Sequence, residues 1–155
     1  MNTEDILKET TETLLKFLGV SFSEIEVSEA EKDLFSINVK SDNASLLIGH
    51  HGENIQALQH LIKVLAWEKS KNENQFHVIL DIDDYRKRQE NNIISLAERK
   101  VAILRRTRRP QILPPMSPYL RRKIHLHLMG SGFDDVETIS KGEEENRHIV
   151  IQLKS

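Results

Sequence analysis

The 155-residue chain contains no cysteine. That excludes disulfide bridges and thiolate-ligated metal, and it fits a reducing compartment. No apolar run approaches the roughly 20 residues that a membrane-spanning helix needs, so no membrane segment is expected. The N-terminal stretch MNTEDILKETTETLL is acidic and lacks the continuous apolar core of a secretory signal, so a cytoplasmic protein is expected. There is no internal repeat and no low-complexity tract. Also missing are a glycine-rich nucleotide loop followed by Lys-Ser/Thr and any nucleophile–base arrangement, so nothing points to catalysis.

What is present describes a soluble globular chain, 38% apolar and 30% charged, long enough for one or two small domains. The net charge of −2 hides an asymmetry. Residues 1–83 carry 7 basic and 15 acidic side chains, a net of −8. Residues 84–155 carry 15 basic and 9 acidic side chains, a net of +6. Between Arg86 and Lys123 twelve cations face only Glu90 and Glu98. A charge run is often a solvated face, but ten net positive charges in 38 residues also suit a phosphate-binding surface. The split suggests two domains, 1–83 and 84–155, with different tasks.

Hydrophobic periodicity predicts a helix over 3–18, closed by Gly19, and a weakly alternating strand over 22–28. Residues 34–40 alternate cleanly, with Phe35, Ile37 and Val39 inward. A short apolar run, 44–48, leads to Gly49-His50-His51-Gly52 and then to a helix from Glu53 to Lys69 carrying Ile55, Leu58, Ile62 and Leu65. Leu61 and Trp67 read as packing residues, 71–74 as a polar turn, and 76–82 as a strand. A long basic helix follows over 84–109 with Ile94, Ala97, Val101 and Leu104 as its apolar face, and Pro110 ends it. Asp83 or Asp84 is the expected cap of that helix. Ser117 and Pro118 form a helix start, that helix runs to Met129, and two strands near 135–140 and 147–153 close the chain.

The order helix, strand, strand, helix, Gly-x-x-Gly, helix, strand resembles that of a bacterial-type KH domain. There a Gly-x-x-Gly loop joins two helices and its backbone clamps about four nucleotides. Glycines at Gly49 and Gly52 let phosphates approach main-chain N–H groups, and the next helix adds its N-terminal dipole. The stretches LIGHHGENIQALQHL (46–61), LDIDDYRKRQE (80–90), LPPMSPYLRRKIH (113–125) and ENRHIVI (145–151) resemble the SpoIIIJ-associated (Jag-type) bacterial family, in which a KH domain precedes an R-three-H domain. The Arg-x-x-x-His signature falls on Arg121 and His125. The resemblance implies an α+β fold in two small domains and non-catalytic binding of single-stranded RNA, with single-stranded DNA as a related ligand. It also implies a cytoplasmic location and a regulatory role in bacterial RNA metabolism or cell-envelope growth. Members often carry an extra N-terminal domain and linker; neither is expected within these 155 residues.

Two positions depart from the family pattern. His50 and His51 stand where Lys or Arg is usual, and Leu120 stands where Glu would complete a capping box with Ser117. The expected nucleic-acid contacts are Gly49, His50, His51, Gly52 and Asn54 in the first domain. In the second they are Arg105, Arg106, Arg108, Arg109, Arg121, Arg122 and His125. Arg121 and His125, four apart, share a helix face beside Leu120, Ile124 and Leu128 and are expected to reach toward solvent. His125 and His127, two apart, point in different directions, so no metal site is expected and no cofactor is implied. Asp81, Asp83 and Asp84 end a strand before a basic helix, which suits capping better than acid–base work. His77 and His148 read as sheet-surface residues. Two alternatives stand beside RNA binding. In one, the KH half docks a partner KH protein or a ribosomal factor and only the second domain touches nucleic acid. The other is a nuclease, which the absence of a positioned carboxylate pair disfavours.

Overall fold

The computed structural model describes residues 1–71, 73 and 75–155. The polar turn expected over 71–74 includes Asn72 and Asn74, which lie outside the described residues. The chain forms two compact units, Met1–Arg86 and Lys87–Ser155.

In the first unit, helix α1 (Thr3–Phe17) starts where Asn2 Oδ1 accepts the Asp5 N–H at 2.8 Å. It stops before Gly19, which takes φ +70°. Strands β1 (Glu24–Glu31) and β2 (Leu34–Lys40) are antiparallel, and β2 pairs in parallel with β3 (His77–Ile82). A parallel pair requires a crossover. Here the crossover is helix α2 (Ala44–Ile48), the Gly49–Gly52 loop and helix α3 (Glu53–Lys69). The loop is thus held between two helices packed on one sheet. Phe35, Ile37, Val39, Val78, Leu80 and Ile82 are buried against Leu7, Leu15, Ile55, Leu58 and Ile62. The ring of Phe76 meets Phe35 and Trp67 edge-on, and Trp67 Nε1 donates to the Phe76 carbonyl at 3.2 Å.

Two details differ from expectation. Ala66, not Leu65, continues the buried stripe of α3; Leu61, Val64 and Leu65 are all more than 40% exposed. A helix turns about 100° per residue, so positions 61, 64 and 65 share a face that points away from the buried stripe of Ile55, Leu58, Ile62 and Ala66. Asp81, rather than Asp83 or Asp84, caps the basic helix. Its carboxylate accepts the Arg86 N–H at 3.1 Å, while Asp83 and Asp84 make the turn itself, at φ 49° and 55°. His77 is exposed on β3 as expected.

Helix α4 (Tyr85–Thr107) runs into the second unit. There it packs on helix α5 (Pro118–Leu128) and on a sheet in the order β4 (Gln111–Ile112), β6 (His148–Leu153), β5 (Val136–Lys141), with both pairs antiparallel. The core is Ala97, Val101, Leu104, Leu113, Ile124, Leu128, Val136, Ile149 and Ile151. Ile93 and Leu96, rather than Ile94, extend the α4 face that touches it. Ser117 Oγ accepts the Leu120 N–H at 3.4 Å, with Pro118 at the first helical position. Among the described residues no helix is long and apolar enough to cross a membrane, and no group of three His, Asp or Glu could hold a metal ion.

Candidate nucleic-acid interface

The loop after α2 has a conformation that its residue types dictate. Gly49 sits at φ 74°, ψ −176°, a region essentially closed to residues with a side chain. A Cβ there would lie 2.5 Å from Asn54 Cγ. Asn54 fills that space because its amide reaches back to donate to the Leu46 carbonyl at 2.7 Å, satisfying an orphan acceptor at the end of α2. Asn54 therefore shapes the loop. His51 (φ 52°, ψ 26°) and Gly52 (φ 78°, ψ 16°) then take two successive left-handed steps that aim the chain into α3. A Cβ on Gly52 would meet only ordinary contacts, 3.5 Å or more away.

The result is a turn with both imidazoles outside. His50 and His51 are exposed, with ring centroids 4.0 Å apart. No side chain caps the start of α3, whose positive dipole end faces the same turn, and Glu53 adds one negative charge to it. The local arrangement can offer an anion main-chain N–H groups and two adjacent imidazoles.

The expected basic contacts of the second unit separate into different groups. Arg106, Arg108 and Arg109 are exposed at the C-terminal end of α4, where cations also complement the helix dipole. Arg108, at φ 63°, closes that helix by donating its N–H to the Leu104 carbonyl. Arg105 is committed elsewhere. Its guanidinium grips both carboxylate oxygens of Asp135, at 2.9 and 2.7 Å, and donates to the Gly132 carbonyl. That pairing holds the Asp135 carboxyl below its ordinary range and raises Arg105, chiefly through the hydrogen bond.

On α5, Arg122 is exposed, and Arg121 is half-buried with Nε donating to the Met116 carbonyl at 3.3 Å. His125 does not reach outward beside it. The imidazole turns onto β5, with Nδ1 hydrogen-bonded to the Thr138 hydroxyl and Nε2 3.4 Å from the Ser140 hydroxyl. Burial first, and the Arg121 cation second, lower its pKa from the ordinary imidazole value. At neutral pH it is therefore a neutral hydrogen-bonding link between α5 and β5. His127 faces the other way, 2.8 Å from Glu98 and against Phe133.

Two arrangements were not legible from spacing. Gln59 Oε1 accepts the Leu80 N–H at 3.0 Å and an Arg86 N–H at 3.0 Å, while Arg86 Nε donates to the Leu80 carbonyl. The pair seals the outer edge of β3 at that residue, so Arg86 serves the first unit's sheet. In the second unit the Tyr119 hydroxyl donates to Glu90, and Lys123 lies 3.8 Å from Glu90 and 5.4 Å from the Tyr119 ring centre. The i, i+4 spacing of Tyr119 and Lys123 was a usable signal for half of this cluster; Glu90, 29 residues earlier, was not.

Comparison with known proteins agrees with this division. Residues 8–82 match the KH domain of KhpA/KhpB, and residues 91–153 match the R-three-H domain. The chain is similar to the RNA-binding protein KhpB of Clostridium symbiosum, 36% identical over 130 residues that cover 84% of this chain and 56% of that protein. It is 31% identical to RNA-binding protein KhpB of Bacillus subtilis over 132 residues, covering 85% and 62% of the two chains. It is 30% identical to RNA-binding protein KhpB of Lactiplantibacillus plantarum over 141 residues, covering 91% and 42%. The chain thus spans roughly half the length of the curated relatives it matches.

Proposed function

From the premise that the chain belongs to the KhpB (Jag-type) family, in which a KH domain precedes an R-three-H domain, we propose that it binds single-stranded RNA and does so without catalysis. The observation that carries this reading is the Gly49–Gly52 turn. Two exposed imidazoles and an uncapped helix start meet on a backbone whose shape is already set. A pre-shaped turn lowers the ordering cost of binding, and a phosphate placed there accepts from main-chain N–H groups. Arg122, Arg106, Arg108 and Arg109 offer further phosphate contacts in the second unit, and Arg121 a partly engaged one.

His50→Lys/His51→Lys places two fixed cations on the turn and binds a single-stranded RNA oligonucleotide more tightly, with a steeper salt dependence. His50→Asp/His51→Asp weakens binding by repulsion of the phosphates. The check is oligonucleotide affinity of the full chain and of both variants, with circular dichroism confirming fold. Folded aspartate variants that bind as well as wild type would reduce the turn to a structural connection.

A second reading has its own support. Leu61, Val64 and Leu65 form an exposed aliphatic stripe on α3, within the acidic half of the chain. Such a stripe suits a protein partner, in line with docking of a second KH domain. Leu61→Asp/Leu65→Asp would then abolish association, seen by size-exclusion chromatography, while leaving RNA affinity of the second unit's cations intact.

A further inference from the structure

We propose that Tyr119 is a nucleobase-stacking platform of the second unit, a role that rests on the RNA-binding reading above. The unit has two aromatic residues of the Phe, Tyr and Trp type between Lys87 and Ser155, Tyr119 and Phe133. Phe133 packs against the core. Tyr119 is 53% exposed on the first turn of α5. An exposed tyrosine is commonplace by itself, but this one is held. Its hydroxyl donates to Glu90 on α4, and Lys123, one turn along α5, sits over the ring and beside Glu90.

The anchoring matters for binding. A free surface ring loses rotamer freedom when it stacks, and that ordering cost weakens binding. Here Glu90 and Lys123 have already restricted the ring in the unbound protein. Glu90 accepts a hydrogen bond from the Tyr119 hydroxyl, and its charge is offset by the Lys123 ammonium 3.8 Å away, whichever residue stands at 119. The next residues on the helix include Arg121 and Arg122, with Arg122 exposed. A flat apolar surface beside cations is the pairing that single-stranded nucleic acid uses: bases stack on the ring while the backbone follows the charges. Any base offers a π-face, so the site takes nucleobases without sequence reading.

The test compares two strands of equal charge. One is a single-stranded oligouridylate; the other is a ribose-phosphate strand of the same length without bases. The full chain is used throughout. Tyr119→Leu is expected to lose roughly tenfold in affinity for the oligouridylate, within the range for one stacked base. It should lose nothing on the abasic strand and leave the salt dependence unchanged, since no charge is altered. Tyr119→Phe keeps the ring and should stay within a few-fold of wild type. As a measurement independent of variant folding, photocrosslinking of wild type to a 5-bromouridine strand should yield an adduct at Tyr119. The proposal is overturned if Tyr119→Leu binds the oligouridylate like wild type, if it loses equally on both strands, or if crosslinks avoid Tyr119. If wild type binds neither strand, the RNA-binding reading itself has failed.

Discussion

Gly49 and Gly52 are three residues apart and look equivalent in a motif, yet their backbones make different demands. At Gly49 (φ 74°, ψ −176°) any side chain meets both a forbidden conformation and the Asn54 side chain. Its requirement is therefore met within the chain itself, before any ligand arrives. Gly52 needs only the left-handed region and has room for a methyl group. Gly49→Ala should cost on the order of 1–3 kcal/mol from backbone strain alone, and more once Asn54 is displaced from Leu46. Gly52→Ala should cost roughly 1–2 kcal/mol. Urea unfolding of the two variants, followed through Trp67 in the first unit, should rank them in that order. His125 carries a second residue-scale prediction. Its folded-state pKa lies below the unfolded value because burial disfavours the charged ring. The unfolded chain therefore takes up the proton first. Stability of the second unit is full above an unfolded imidazole value of about 6.5. It falls as pH drops from there through the folded value. His125→Gln should remove that acid-side loss, read as hydrogen exchange of β5 and β6 amides at pH values on either side of the transition.

At the scale of elements, α4 divides its cations by position. Arg105 faces the end of the α5–β5 connection and clamps Asp135 and Gly132, whereas Arg106, Arg108 and Arg109 face solvent. A sequence run of five positions thus contains one structural arginine and three available ones. Arg105→Gln should lower the melting temperature of the second unit and leave the salt dependence of RNA binding close to wild type. Because Asp135 is held below the ordinary carboxylate range, the pair's contribution is present above the unfolded carboxylate pKa. It is lost as pH falls through the folded value. The destabilisation caused by Arg105→Gln should therefore shrink in strong acid, as calorimetry at two pH values would show.

For the whole molecule, the charge division survives the structural boundary. Moving it from Asp83 to Arg86 transfers one acid, Asp84, and one base, Arg86, so the halves keep −8 and +6. The acidic half holds the Gly-x-x-Gly turn, and the basic half holds the exposed arginines at the end of α4 and on α5. Counterion release should therefore come chiefly from the second unit. The logarithm of affinity should fall with the logarithm of salt by about 0.7 for each phosphate neutralised on a single strand. Arg106→Gln/Arg108→Gln/Arg109→Gln should flatten that slope by up to about 2. An unchanged slope in titrations across a range of salt would mark these three as a solvated helix end.

Local rules acted within a few residues of each other, so the sequence by itself determined the helices, the clean strand at 34–40, the Ser117 cap, the Gly-x-x-Gly turn and the charge split. Alternation at Phe35, Ile37 and Val39, and at Phe76, Val78, Leu80 and Ile82, needs no distant partner to be read. Tertiary structure alone decided which cations are free and which are spent. Asp135 lies 30 residues from Arg105, Gln59 lies 27 from Arg86, and Thr138 lies 13 from His125. It also decided that Ala66 and not Leu65 faces the core, and that Asp81 rather than its neighbours caps α4. A side chain's type and spacing specify what it can bond to; only packing brings a chosen partner within hydrogen-bond reach, and a guanidinium or imidazole so engaged is no longer the free group that its position in the sequence suggests.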